Sequence, residues 1–212
     1  MDAEIHPLAG VLAWLARLVS GVQVRWQECQ PEKRQRIYFA NHTSHLDFVV
    51  QWSSLPREVR ALARPVAAKD YWEKGTVRRF LALRVFRAVL VDRAPAASRE
   101  AMASARTVID RLVEAMGAEE SLIVFPEGTR GSGGEVGAFK SGIYHLAERR
   151  PEVELVPVYL ENLNRILPKG EVLPVPLLST ATFGPPMQLL PEEPKRAFLE
   201  RAREAVCRLR RQ

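Results

Sequence analysis

Cysteine is scarce in this chain: Cys29 and Cys207 are the two among 212 residues. Two cysteines without CxxC spacing exclude a disulfide framework and fit a reducing compartment. Long uncharged apolar runs are missing as well. None reaches the ~18 residues of a membrane-spanning helix, and the nearest, Leu8 to Val24, is interrupted by Arg17. Asp2 and Glu4 stand where a secretion signal would carry Lys or Arg, so no export signal is expected. Internal repeats and low-complexity tracts are absent too. The chain is 47% hydrophobic and 26% charged, which is ordinary globular usage and argues against disorder outside the ends. Its length suits one substantial core with an appendage.

What the chain has in excess is positive charge. The formal balance is +6, and residues 57–106 hold 12 Lys/Arg against 5 Asp/Glu. Such a balance favours an anionic partner: nucleic acid, a phosphorylated substrate or an acidic membrane. A solvated surface accounts for most of these side chains. Near the N-terminus, Leu8, Val11, Leu12, Leu15, Leu18, Val19 and Val22 form a helical stripe, with Trp14 beside it, Arg17 off it and Trp26 following. An interfacial helix dipping into one leaflet has this pattern, and so does an amphipathic helix packed on its own domain. The C-terminal PKRAFLERAREAVCRLRRQ is a basic amphipathic helix whose apolar side, Phe198, Ala202, Val206 and Leu209, is expected to dock on the domain.

Strands alternate with helices along the chain. Apolar runs at Arg36 to Ala40, Val89 to Val91, Leu122 to Phe125, Leu155 to Leu160 and Thr180 to Phe183 read as strands. Helical patterns lie at His45 to Leu55, Tyr71 to Val85, Ser98 to Met116, Phe139 to Arg149 and Pro194 to Leu209. Ser98 is a good N-cap, and Gly117 stands where a C′ glycine belongs. The proline-punctuated Ile166 to Ser179 reads as an irregular connection. This alternation predicts an α/β domain, a central mixed sheet flanked by helices, with ligands at the carboxyl ends of the strands.

ANHTSHLDF, Ala40 to Phe48, starts at such a strand end. As a metal site, His42, His45 and Asp47 lack the i, i+4 spacing of HExxH and a further ligand nearby. The N-x-T sequon at Asn41 needs a secreted chain. Ser44-x-x-Asp47 resembles a capping box at a helix start. The remaining reading is a catalytic pair. Asp47 would hold one ring nitrogen of His42, leaving the other as a base for a substrate hydroxyl. No GxSxG or SxxK accompanies it, so the attacking hydroxyl would be the substrate's own. Spacing leaves capping and catalysis both open, and the two are compatible.

A second loop, PEGTR, follows the strand that ends at Phe125. Backbone N–H groups around Gly128 could form an anion nest beside Arg130. It is not a Walker A loop, because Phe139 rather than glycine precedes Lys140. His42-x4-Asp47 followed about 80 residues later by FPEGTR, Phe125 to Arg130, resembles the 1-acylglycerol-3-phosphate acyltransferase (PlsC-like) family of glycerolipid acyltransferases. VLVDR, Val89 to Arg93, is similar to the family's second block, and VPVYL, Val156 to Leu160, to its fourth. AKDYW, Ala68 to Trp72, is similar to its AK-x-E-L segment. Ala88 stands where the second block usually opens with glycine.

The resemblance implies acyl transfer from acyl-CoA or acyl-carrier protein to a lysophospholipid hydroxyl, with 1-acylglycerol 3-phosphate giving phosphatidic acid as the leading case. It implies catalysis by His42 and Asp47, and acceptor binding by Lys69, Arg93, Glu127, Gly128, Thr129 and Arg130. No metal and no cofactor is implied. Residues 1–27 are then expected to associate with the membrane, and residues 28–212 to form the acyltransferase domain. The expected location is peripheral or monotopic, on the cytoplasmic face of the inner membrane. Two alternatives stand: acylation of lyso-ornithine lipid or another lysolipid, and a non-catalytic basic membrane-binding module.

Overall fold

The computed structural model describes residues 6–44, 46–92, 99–131, 135–163 and 178–210. The chain runs through α1 (Leu8–Ser20), β1 (Gln23–Trp26), β2 (Arg36–Ala40), α2 (Asp47–Ser54), α3 (Arg57–Leu62) and β3 (Ala63–Ala68). Helices α4 (Lys69–Trp72) and α5 (Thr76–Phe80) follow, with a π-helical turn at Leu81–Val85, then β4 (Val89–Val91), α6 (Arg99–Met116) and β5 (Ser121–Val124). The described remainder is α7 (Gly142–Arg149), β6 (Glu154–Glu161), β7 (Thr180–Phe183) and the helix Lys195–Arg208, here α8.

These strands form one seven-stranded sheet in the order β1-β7-β6-β2-β5-β3-β4. Every pairing is parallel except β6 with β7. The expected α/β class with a mixed sheet and an N-terminal helix is therefore what the chain adopts. Alternate side chains of β2 feed opposite layers, Tyr38 and Ala40 toward one core and Ile37 and Phe39 toward the other. The first core is closed by α1, α2 and the π turn, the second by α6, α7 and α8. Burial on both faces explains why β2 is apolar almost throughout. The C-terminal helix docks as expected, with Phe198, Ala202 and Val206 fully buried.

Three local expectations change. The N-terminal helical stripe stops at Ser20, because Gly21 takes a left-handed φ of 52°. The next residues form β1, paired with β7, and Trp26 stacks on Phe183 with ring centroids 4.0 Å apart. The sheet thus begins inside the 1–27 segment. Strand β3, ARPVAA, has Val66 as its one β-branched residue and is interrupted by Pro65, so it carries a weak strand signal. It pairs with β5 through Ala63–Pro65 and with β4 through Val66–Ala68. Pro65 stands at the change of partner, where a missing N–H is tolerated. The single helix expected from Tyr71 to Val85 is broken at Gly75, whose φ of 95° no helix accepts. The expected cap Ser98 and most of the 166–179 connection lie outside the described residues.

The first core also fixes which way α1 faces. Ala9 and Ala13 point inward, while Leu8, Val11, Trp14, Leu15, Leu18 and Val19 are exposed. Small residues let α1 approach α2 closely. Arg17 completes the seam by donating from Nε to the Ser53 carbonyl at 2.5 Å and from Nη2 to the Leu55 carbonyl at 3.2 Å. Those carbonyls are the unmatched acceptors at the C-terminus of α2, where a cation is favoured. Among the described residues, no helix is long and apolar enough to cross a membrane.

Candidate active site

Strands β2, β5, β3 and β4 run parallel and adjacent, so their carboxyl ends share one edge of the sheet. His42 leaves β2 there, and Asp47 opens α2 five residues on. His42 Nδ1 lies 2.8 Å from Asp47 Oδ2. The same oxygen accepts from the backbone N–H of Thr43 at 2.5 Å and of Ser44 at 2.8 Å. The Ser44 bond is the backward half of a capping box. One buried carboxylate, 0% exposed, thus turns the loop and holds the ring. Because that oxygen is an acceptor, Nδ1 donates to it, and in the neutral imidazole this leaves the lone pair on Nε2. The His42 side chain is 24% exposed, so the pair is open on the histidine side only. Phe125 stacks on the imidazole with centroids 4.5 Å apart, which limits ring rotation.

Glu127 is 7% exposed and bonded to backbone. Its Oε1 accepts from the His42 N–H at 2.9 Å, and its Oε2 from the Gly137 N–H at 3.2 Å. The Gly131 N–H donates to the His42 carbonyl at 2.8 Å. The loop after β5 therefore grips the His42 main chain from both sides. A Cβ at Gly137 would stand 2.7 Å from Glu127 Oε2, so a larger residue there has to push that carboxylate aside. Gly128 takes a φ of +70°, and a Cβ on it would meet Lys140 Nζ at 2.7 Å. Gly137→Ala is expected to displace the Glu127 carboxylate and lower kcat about tenfold with little change in the melting temperature. Unchanged kinetics would mean that this grip does not position the histidine.

The remaining expected residues are less tightly gathered. Thr129 and Arg130 are exposed on the β5 loop. Lys69 is the first residue of α4 at the end of β3, and its Nζ lies 4.0 Å from Asp92 Oδ1. Arg93 falls outside the described residues, as does His45. No cluster of metal-ligating side chains occurs among the described residues. Cys29 offers no nucleophile to the loop: burial pushes its thiol up, and its Sγ contacts the Phe183 carbonyl.

Sequence reasoning passed over several contributors. Asn41 bonds both backbone groups of Leu160, donating from Nδ2 to its carbonyl at 2.9 Å and accepting its N–H at 2.8 Å. It extends the β2–β6 ladder and fixes where the histidine loop departs. Lys140, whose N–H donates to the Pro126 carbonyl at 2.8 Å, lays its side chain across Gly128. The pairing of Asn41 with Leu160 has a weak sequence signal, an amide just after an apolar run. Gly137 and Lys140 have none without the loop's shape.

The chain is 30% identical over 189 residues to the 1-acyl-sn-glycerol-3-phosphate acyltransferase of Limnanthes alba, and 29% identical to that of Limnanthes douglasii. Each match takes in 86% of this chain and 59% of the relative, so the chain spans under two thirds of their length. It also resembles the crystal structure of the 1-acyl-sn-glycerophosphate (LPA) acyltransferase PlsC from Thermotoga maritima. That match has a TM-score of 0.70 and 22% identity, covering 96% of this chain and 79% of that one. At that identity the likeness speaks for the fold. The family model described as Acyltransferase matches residues 21–161, a span that takes in both the His42 loop and the Glu127 loop, and the chain belongs to that acyltransferase family.

Proposed function

We propose that this protein transfers an acyl chain from acyl-CoA or acyl-carrier protein to the free hydroxyl of a lysophospholipid, 1-acylglycerol 3-phosphate being the leading acceptor. The observation that carries this reading is His42 held through Nδ1 by a buried carboxylate, with Nε2 free on the exposed side. Nε2 takes the acceptor's hydroxyl proton as that oxygen attacks the thioester carbonyl. The tetrahedral intermediate collapses, the C–S bond breaks, and the imidazolium returns the proton to the departing thiolate. Asp47 stabilises the imidazolium throughout. The acyl group passes directly between substrates.

Arg130, Lys69 and Arg93 are the cations proposed for the acceptor phosphate, with Gly128 and Thr129 shaping the loop around it. Asp92 offsets part of the Lys69 charge. Glu127 is better read as a brace for His42 than as an acceptor ligand, since both its oxygens hold backbone N–H groups.

The acceptor and product of this reaction are lipids, and the surface suits a leaflet. The exposed apolar face of α1 continues onto Val77, Phe80 and Leu83, with His6 and Phe80 in edge-to-face contact. Lys74, Arg78, Arg79 and Arg84 are exposed beside it. An apolar face rimmed by cations fits the anionic cytoplasmic leaflet. Peripheral or monotopic binding there, with α1 lying in the interface, follows from this reading.

The test is an acceptor panel with oleoyl-CoA in mixed micelles: lysophosphatidic acid, lysophosphatidylcholine and lyso-ornithine lipid. The reading predicts turnover with lysophosphatidic acid at least tenfold above the others. Preference for lyso-ornithine lipid would keep the chemistry and replace the acceptor.

A further inference from the structure

Helix α2 carries three fully buried polar side chains, Asp47, Gln51 and Ser53. Ser53 Oγ donates to the Val50 carbonyl at 2.9 Å, while Asp47 and Gln51 stand four residues apart. Asp47 Oδ2 already accepts three hydrogen bonds. Its other oxygen, Oδ1, has no partner among the described residues, and neither do Gln51 Oε1 and Nε2. Buried polar atoms are almost always paired, because an unmet donor or acceptor is costly. Side chains four apart on a helix are neighbours, and Gln–Asp pairs at that spacing form stabilising hydrogen bonds. The chemistry also matches, since an amide N–H is a donor and a carboxylate oxygen an acceptor. Gln51 lies between the buried apolar residues Val50 and Trp52, where an unused amide is a liability.

We infer that Gln51 is a positioning residue for the His42–Asp47 pair: its Nε2–H donates to Asp47 Oδ1, either after one side-chain rotation or through a single water. A carboxylate held through one oxygen can turn about its terminal torsion. A donor on the second oxygen fixes its plane, keeps Oδ2 against the imidazole and keeps the proton on Nδ1. Other charged groups near α2 sit elsewhere. Arg17 and Arg60 bind carbonyls at its far end, and Glu127 holds the His42 main chain. Nothing else on the described elements reaches Oδ1.

The kinetic consequence rests on the acyl-transfer reading, so the test has one arm that needs no turnover. The ¹⁵N resonances of the His42 ring report its tautomer, and a His42→Ala spectrum assigns them. Gln51→Met keeps the side chain's length and removes its polarity. The inference predicts that Gln51→Met draws the two ring-nitrogen resonances toward each other. It also predicts that kcat falls about three- to tenfold with the acceptor KM unchanged. Gln51→Glu, which sets a like charge beside Oδ1, is expected to lose more than Gln51→Met. Cooperative melting is checked first, and Gln51→Leu replaces either variant that fails it. Ring resonances and kcat that coincide with the parent in a folded variant overturn the inference. If the parent transfers no acyl group while Gln51→Met still moves the ring resonances, the positioning role stands and the activity reading falls.

Discussion

The double variant Trp14→Glu, Leu18→Glu is expected to melt within a few degrees of the parent and to bind anionic vesicles about 10²- to 10³-fold more weakly. Trp14 is 62% exposed and Leu18 63%, one helical turn apart on the outer face of α1. Replacing exposed side chains shifts folding stability by only about ±0.5 kcal/mol. Moving the exposed portions of a tryptophan and a leucine into a leaflet contributes about 2–4 kcal/mol. Two new carboxylates facing an anionic surface add repulsion to that loss. Vesicle co-sedimentation at fixed salt measures it. Undiminished binding would move the lipid contact away from α1 and leave its apolar face as a site for another protein or a second copy.

His42→Ala is expected to lower kcat by about 10²- to 10⁴-fold while the protein stays folded. Among the described residues the imidazole makes one polar side-chain contact, with Asp47, and its removal opens little of the core because it is part-exposed. Asp47→Asn is expected to cost a comparable factor for a different reason. An amide can present its N–H to Nδ1 and favour the wrong tautomer, and it disturbs the Thr43 and Ser44 N–H bonds as well. The two changes together are expected to cost no more than the larger one, because the residues act as a unit. Additive losses in log kcat would mean that Asp47 acts separately from His42. Acceptor KM should change little in either, since neither side chain is proposed to bind the phosphate.

How much of this was legible beforehand follows from the range of each interaction. Strands β2 and β5 announce themselves because both faces are buried and both read as unbroken apolar runs. Helix α6 ends at Gly117, where the residue takes a φ of 47°, as a local cap rule requires. The α1 stripe was visible too, but periodicity does not say which stripe turns inward. Here the alanines are buried and the large residues are not, because close approach to α2 outweighs side-chain size. Strand β3 was hidden: its strand character comes from its neighbours β5 and β4 rather than from its own residues. The His42–Asp47 pair lies within one loop, so its spacing could be read. The brace from Glu127 joins residues 85 apart, and a carboxylate that binds backbone N–H groups leaves no mark in the partner's side chain. The same holds for Asn41 and Leu160, and for the close approach of Glu127 to Gly137.

The most direct test of the account follows the acyl group itself. Purified protein is incubated with oleoyl-CoA, with and without lysophosphatidic acid, beside the His42→Ala variant, and both the lipids and the intact protein are weighed by mass spectrometry. The account predicts phosphatidic acid and free CoA in equal amounts only when the acceptor is present, no acyl adduct on the protein, and loss of product in the variant. An acylated protein, or phosphatidic acid formed equally well without His42, would contradict it.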